Sequence, residues 1–461
     1  MWKRYFGDRA FYKKLMLIAL PIMIQNGVTN FVSLLDNLMV GQIGTEQMSG
    51  VAIANQLIFV YNLFVFGGVS GAGIFGAQFF GKKDYEGVKH TFQFKFVLCG
   101  LITLAAILIM WVGGDQLIAL YLHSGGDDGN LKSTLLYGEQ YLHIMLVGLV
   151  GFFFSQLYAS TLRESGETIL PLIAGMTAVG VNLVLDYGLI FGKLGLPQMG
   201  VQGAALATVI ARFAEIIILI LLIRIKRAKF PFMFGLYRGW NMSKKLVGNM
   251  LKKGIPLVIN EGMWGFGMAF LTQIYSQRGL AVVAGLNISN TMQNLFNVVF
   301  LAMGNAIGII IGQKLGAGKM EEAVEDDRKL IVFTEILVVF TALGVIALSR
   351  VVPNLYNTTD NVRELASSFM VVAGLSQPIF ALMNSIYFTL RSGGNTVVTF
   401  LFDSGFLWAV EITLAYALCR FTGLNIVTIF FMVNYSEIIK CIIGFVLLKK
   451  GVWINNIVGD M

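Results

Sequence analysis

Runs of about twenty apolar residues, parted by short polar stretches, recur along the whole chain and constrain its fold more than any other feature. "LIVFTEILVVFTALGVIAL" (330–348) and "FAEIIILILLI" (213–223), extending back through "VQGAALATVIAR", each have the length of one membrane-crossing helix, roughly 20 residues at about 1.5 Å apiece. Glycine, proline and charge punctuate the chain into about twelve such spans, near 15–40, 49–80, 92–113, 136–160, 169–191, 202–223, 255–276, 283–313, 330–349, 367–389, 397–419 and 424–448. With 56% hydrophobic and 13% charged residues, the chain is too apolar for a soluble globular domain. The expected class is an all-α polytopic membrane protein. The N-terminal stretch "MWKRYFGDRAFYKK" is basic and amphipathic before apolar residues begin at Leu15, which suits a cytosolic lead-in better than a cleavable signal.

An even number of spans puts both termini on one side. With a cytosolic N-terminus, 26 of the 34 Lys and Arg fall on inward-facing segments, Lys95, Arg163 and Arg391 among them. The outward segments hold Lys132, Lys193, Arg278, Arg350, Arg363 and Arg420. That bias orients the protein with both termini in the cytosol, and the cell (plasma) membrane is the expected location. The net charge of +8 is then a topology signal and no sign of nucleic-acid binding, because its largest block, 224–253, lies between spans six and seven. Cys99, Cys419 and Cys441 sit within spans without metal-ligand spacing, so buried free thiols are expected.

The chain repeats itself. Shifted by 235 positions, "LPIMIQNGVTNF" (20–31) meets "IPLVINEGMWGF" (255–266) and "SGVAIANQL" (49–57) meets "AGLNISNTM" (284–292), without a gap from Pro21 to Glu86. The same register pairs Gly44 with Gly279, Asn55 with Asn290, Gln78 with Gln313 and Gly81 with Gly316. At an offset of 228, "TLRESGET" (161–168) meets "TLRSGGNT" (389–396). The expected domains are a six-helix lobe over 1–223, a basic cytosolic linker over 224–253, a second six-helix lobe over 254–450 and a cytosolic tail over 451–461. Two parallel six-helix repeats are a transporter architecture, in which two bundles rock about a central cavity.

Against this background Asp36, in "NFVSLLDNLMVGQIG" (30–44), stands out. An Asp at the centre of a membrane helix costs about 2.5–3.5 kcal/mol on insertion scales. Asp36 lies roughly 30 Å along span one from Leu15, and Asp186 about 25 Å along span five from Leu170, so both reach the outer half. Asn182 shares a helix face with Asp186, and Thr208 lies about one and a half turns into span six. Two carboxylates, an amide and a hydroxyl supply the oxygen ligands a hard cation prefers, and two carboxylates brought together in a low dielectric bind a proton more tightly. Either Na⁺ or H⁺ could occupy such a site. Thr208 can equally bond its own helix. The repeat places Leu271, Val410 and Leu414 opposite Asp36, Asn182 and Asp186, which favours a task done by one lobe over a shared structural need.

The combination of "LLDNLMVGQIGTEQMSGVAIANQ", "GAQFFGKKD", "GQKLGAGKM", "TLRESGETILP" and "NLVLDYGLIFG…GVQGAALAT" resembles the multidrug and toxic compound extrusion (MATE) transporters over nearly the whole chain. The resemblance implies a two-lobe antiporter of twelve helices that exports amphipathic, often cationic compounds in exchange for Na⁺ or H⁺. It also implies functional roles for Asp36, Asn182 and Asp186, with Thr208 the less specific match. Some members use a second acidic cluster in helices seven and ten. Here span seven offers Glu261, about 9 Å in from the cytosolic side, and span ten has no carboxylate.

Of the other membrane acids, Glu215 with Arg212 and Glu437 with Lys440 form i,i+3 pairs that can neutralise each other. Asp403 and Glu411 lack such a partner and, with Glu261, are secondary candidates. The 36 Phe and 21 Met could line a pliable cavity for small organic substrates. The expectation is a secondary active antiporter working by alternating access as a monomer in the lipid bilayer, without a cofactor beyond its coupling cation and without enzymatic activity. A lipid-precursor flippase would want more mid-membrane cations than Arg212 and Lys440. A membrane-embedded enzyme would want more than the scattered His90, His123 and His143. Both alternatives are weaker.

Overall fold

A computed structural model describes residues 5–121, 128–356 and 358–459, with the side chains of 128–130 outside the description. His123 lies outside the described residues. The described chain is helical throughout: α1 (Arg9–Gly41), α2 (Thr45–Lys82), α3 (Tyr85–Ala119), α4 (Asp128–Glu164), α5 (Ile169–Phe191), α6 (Val201–Ile225), α7 (Lys244–Ser276), α8 (Leu280–Gly316), α9 (Met320–Leu348), α10 (Asp360–Ser392), α11 (Thr396–Phe421) and α12 (Ile426–Lys449). The helical state follows from the apolar runs. A segment in hydrocarbon must satisfy every backbone N–H and C=O, and an α-helix does so within itself. Eleven of the twelve are long and apolar enough to cross a membrane. The exception is α7, where Asn260, Glu261, Thr272 and Gln273 interrupt the apolar sequence. Pro21, Pro256 and Pro378 sit inside α1, α7 and α10, and the first two are partners in the 235-residue repeat.

The helices sort into two compact units. A C-terminal unit combines Met1–Met23, Ala77–Asp84 and Gly248–Met461, and an N-terminal unit combines Ile24–Gly76 with Tyr85–Val247. Compactness thus groups residues differently from repeat ancestry, since α1 and α2 each contribute to both units.

The core of the C-terminal unit joins Leu15, Ile18 and Ile22 of α1 to Met303, Ile307 and Ile311 of α8, with Ile386 and Leu390 of α10 and Trp453 beyond α12. Two repeat-related glycines let its backbones touch. A Cβ on Gly81 would collide with the Gln313 backbone, and one on Gly316 would collide with the Gln78 backbone. The pairs matched at 235 residues therefore pack reciprocally, each glycine beneath the other repeat's glutamine. The Gln78 side chain itself closes the C-terminal segment. Its Nε2 donates to the carbonyls of Ser392 (2.9 Å) and Asn455 (3.1 Å), and its Oε1 accepts from Ile457 N–H (2.9 Å).

In the N-terminal unit α6 packs along both α4 and α5. The basic segment after α6 folds back as short 3₁₀ turns at Arg227–Lys229 and Pro231–Met233, burying Phe230, Phe232, Met233 and Leu236. Gln93 of α3 donates to the Leu236 and Arg238 carbonyls at 2.9 and 3.1 Å, and Lys229 pairs with Glu167 at 2.6 Å. The second repeat register also has a backbone signature. Gly166 and Gly394, matched at 228, both take left-handed φ (83° and 72°), the conformation a turn after a helix needs and glycine supplies without steric cost.

Candidate functional site

Asp36 on α1 and Asp186 on α5, far apart in sequence, face each other within hydrogen-bonding reach inside the N-terminal unit. Asp186 is 1% exposed and Asn182, one turn earlier, 7%. Although Asn182 lies near enough to act on the Asp186 carboxyl, Asp36 Oδ1, both Asp186 carboxylate oxygens and Asn182 Nδ2 are buried without a well-formed hydrogen bond. That is unusual, because most buried polar atoms find one. Two ionised carboxylates cannot bond each other, since neither oxygen donates. A proton held between them, or a small cation, supplies what the protein's own groups do not.

The surroundings sharpen this. Tyr141 of α4 is buried close enough to interact electrostatically with both carboxyls, and its hydroxyl donates to Asn55 Oδ1 of α2 at 3.2 Å. Arg212 of α6 is near enough to act on Asp36, yet its guanidinium bonds Glu215 at 3.2 Å and sits 5.5 Å from the Phe152 ring. Thr208 is half-buried, and its hydroxyl donates to the Ala204 carbonyl of its own helix at 3.1 Å. Its lone pairs remain chemically able to accept. The structure thus brings Asp36, Asn182 and Asp186 together and gives Thr208 a local bond. The donor set of carboxylate and amide oxygens suits H⁺ or Na⁺.

A second buried polar cluster occupies the C-terminal unit. Glu261 of α7 accepts from the Tyr387 hydroxyl of α10 at 3.1 Å. Asn260 donates to Asp403 Oδ2 at 2.9 Å, and the Ser404 hydroxyl donates to the Asn260 side-chain oxygen at 2.7 Å. Lys440 of α12 lies 3.2 Å from Asp403 Oδ1 and 3.4 Å from Glu437 Oε1. This corrects two expectations. Asp403 does have a cationic partner, and Lys440 is not reserved for Glu437. The spacing rule saw only pairs on one helix, whereas the Lys440–Asp403 contact crosses from α12 to α11.

Cations of the N-terminal unit also find partners on neighbouring helices. Lys95, counted among the cytosol-facing cations, is fully buried in α3 and bonds Glu164 of α4 at 2.5 Å, with Ser160 and Thr161 hydroxyls at 3.3 and 3.4 Å. Arg163 reaches Gln25 Oε1 at 3.0 Å. The signal was present: Lys95 stands in "FQFKFV", inside an apolar run, where a lone ammonium calls for a partner on a neighbouring helix.

Comparison with known proteins agrees with this architecture. A sequence profile of the MatE family matches residues 21–188 and 256–417, one stretch in each repeat. The chain is 25% identical over 415 residues to a probable multidrug resistance protein NorM of Thermotoga maritima, covering 90% of this chain and 87% of that protein. It is also 25% identical over 370 residues to the multidrug resistance protein MdtK of Pectobacterium atrosepticum, covering 79% and 78%. Among solved structures, the fold matches the outward-facing conformation of a multidrug resistance MATE family transporter with a TM-score of 0.86 at 18% identity, over 98% of this chain and 97% of that one. A MATE structure in complex with MaD3S matches with a TM-score of 0.85, also at 18% identity. With helices in two repeats, both matched by the same family profile, this chain belongs to the MATE (MatE) family of multi-pass membrane transporters.

Proposed function

We propose that the protein is a secondary active antiporter that exports amphipathic, cationic organic compounds in exchange for H⁺ or Na⁺, with Asp36, Asn182 and Asp186 as the coupling site and Thr208 as an auxiliary oxygen. The observation that carries this reading is the buried, unpartnered carboxylate oxygens of Asp36 and Asp186 facing each other. Relatives described as multidrug resistance proteins support drug export.

Coupling requires that the cation bind one conformation better than the other, because a ligand with equal affinity for both shifts nothing. The pair has the means. With both carboxylates ionised in a low dielectric, their repulsion disfavours any state that holds them together. A proton or Na⁺ between them removes that repulsion and stabilises the closed pair. Occupancy and conformation are thereby linked, and alternating access can be driven from the side where the cation is abundant. The protein acts as a monomer in the cell membrane, both termini in the cytosol.

The test is efflux from proteoliposomes loaded with a panel of fluorescent organic cations, under H⁺ and Na⁺ gradients imposed separately. Efflux accelerated by at least one inward cation gradient is expected. Efflux indifferent to both would refute antiport.

A further inference from the structure

We propose that Glu411 of α11 and Glu437 of α12 form a second proton-binding site, set in the C-terminal unit and separate from the Asp36–Asp186 pair. The starting observation is a charge imbalance among side chains with almost no access to solvent. Asp403, Glu411, Glu437 and Lys440 are 9, 7, 3 and 2% exposed, so three carboxyls share one ammonium. Their bonding shows which of the three it serves. Asp403 is satisfied on both oxygens, by Lys440 at 3.2 Å and by Asn260 at 2.9 Å, as an ionised counter-ion should be. Glu437 gives only Oε1 to Lys440, at 3.4 Å. Its Oε2 and Glu411 Oε1 are buried with no hydrogen-bond partner, while the two carboxyl groups lie within hydrogen-bonding reach of each other.

Two carboxylates in that position cannot satisfy one another, but a carboxylic acid and a carboxylate can, through one O–H···O bond. Binding a proton adds the missing donor and cancels one of the two uncompensated charges. The groups facing Glu411 offer no other remedy. Tyr275 of α7 is a buried phenol and adds no positive charge; from α12 come Glu437 and Lys440, and from its own helix Asp403. Glu261 and Tyr387 interact with Asp403, and Cys441 lies near Glu437, Lys440 and Glu335.

The backbone here departs from α geometry as well. Residues Leu401–Gly405 and Leu407–Ile412 wind as π-helix, and these segments carry Asp403 and Glu411. π turns are rare and cost regular packing, so they tend to persist where a side chain must be aimed at a particular point. An apolar cavity of about 170 Å³, lined by Val398, Phe402, Phe406 and Leu447, also has Lys440 in its wall.

The test is labelling of the full-length protein with dicyclohexylcarbodiimide, an apolar reagent that adds to protonated carboxyls and rearranges to a stable N-acylurea. Peptide mass spectrometry locates the adduct. The site predicts labelling of Glu411 or Glu437 near neutral pH, declining as pH rises. In Glu411→Gln the facing carboxyl is gone and Glu437 is left with Lys440 alone, so its labelling falls about tenfold or more. No adduct on either residue in the wild type overturns the proposal, and so does a Glu437 adduct undiminished in Glu411→Gln. The wild-type result stands even if the variant fails to fold. Labelling at Asp36 and Asp186 is read on different peptides, so failure here and failure of the coupling assignment are distinguishable.

Discussion

Both units bury acids, and Asp403 in one is treated differently from the Asp36–Asp186 pair in the other. In the C-terminal unit a lysine from one helix and an asparagine from another fully occupy Asp403. In the N-terminal unit Asp36 and Asp186 face each other with oxygens unpartnered, while the nearby Arg212 is bonded to Glu215. A carboxylate given its own counter-ion is fixed. One denied it must borrow a cation from outside, and a borrowed cation can be returned. On the proposed reading, the contrast separates acids that hold helices together from acids that exchange ions.

That contrast can be broken experimentally. The largest effect is expected for Asp36→Asn, which should reduce gradient-driven efflux to the level of empty vesicles. Because the substitution removes a half-buried charge without orphaning a counter-ion, thermal unfolding in detergent should be unchanged or slightly later. Gradient-driven efflux at the wild-type rate would make Asp36 structural. Lys440→Met should do the reverse to stability: Asp403 and Glu437 lose their ammonium, at a cost of about 3–5 kcal/mol, visible as an earlier unfolding transition. An unshifted transition would mean that the C-terminal acids are not held by charge.

Smaller effects follow from packing. Gly316→Ala forces a methyl into the Gln78 backbone and should destabilise by about 1–3 kcal/mol, with Gly81→Ala comparable because the contact is reciprocal. Unequal costs would show that the two repeats do not cross equivalently. The smallest effect is expected for Thr208→Val, whose hydroxyl already serves Ala204. Apparent cation affinity should change by about 1 kcal/mol or less, measured as the gradient needed for half-maximal efflux. A loss as large as that of Asp36→Asn would make Thr208 a primary ligand.

Much of this was legible in the sequence. Apolar length predicts the helices, since hydrocarbon leaves the backbone few options, and the repeat aligns the two glycines and two glutamines that the fold packs against each other. Asp36, Asn182 and Asp186 could be singled out because charge in an apolar run is costly and depth can be counted along a helix. The rest depends on which helices are neighbours, and periodicity within one helix is silent on that. Spacing along one helix pairs Lys440 with Glu437 but does not reach Asp403, nor does it bring Tyr387 to Glu261 or Glu164 to Lys95. The π winding of α11 left no mark either, because it arises from packing and not from local preference.

The claim that most depends on this reasoning is that the Asp36–Asp186 pair exchanges a cation with its surroundings. It is tested most directly by counting protons bound by the purified protein on a downward pH step, comparing wild type with the Asp36→Asn, Asp186→Asn double variant. The Glu411–Glu437 pair is common to both and cancels. The account predicts that the wild type takes up more protons than the variant, and that Na⁺ lowers this difference if sodium shares the site. Superimposable titrations, with and without sodium, would contradict it.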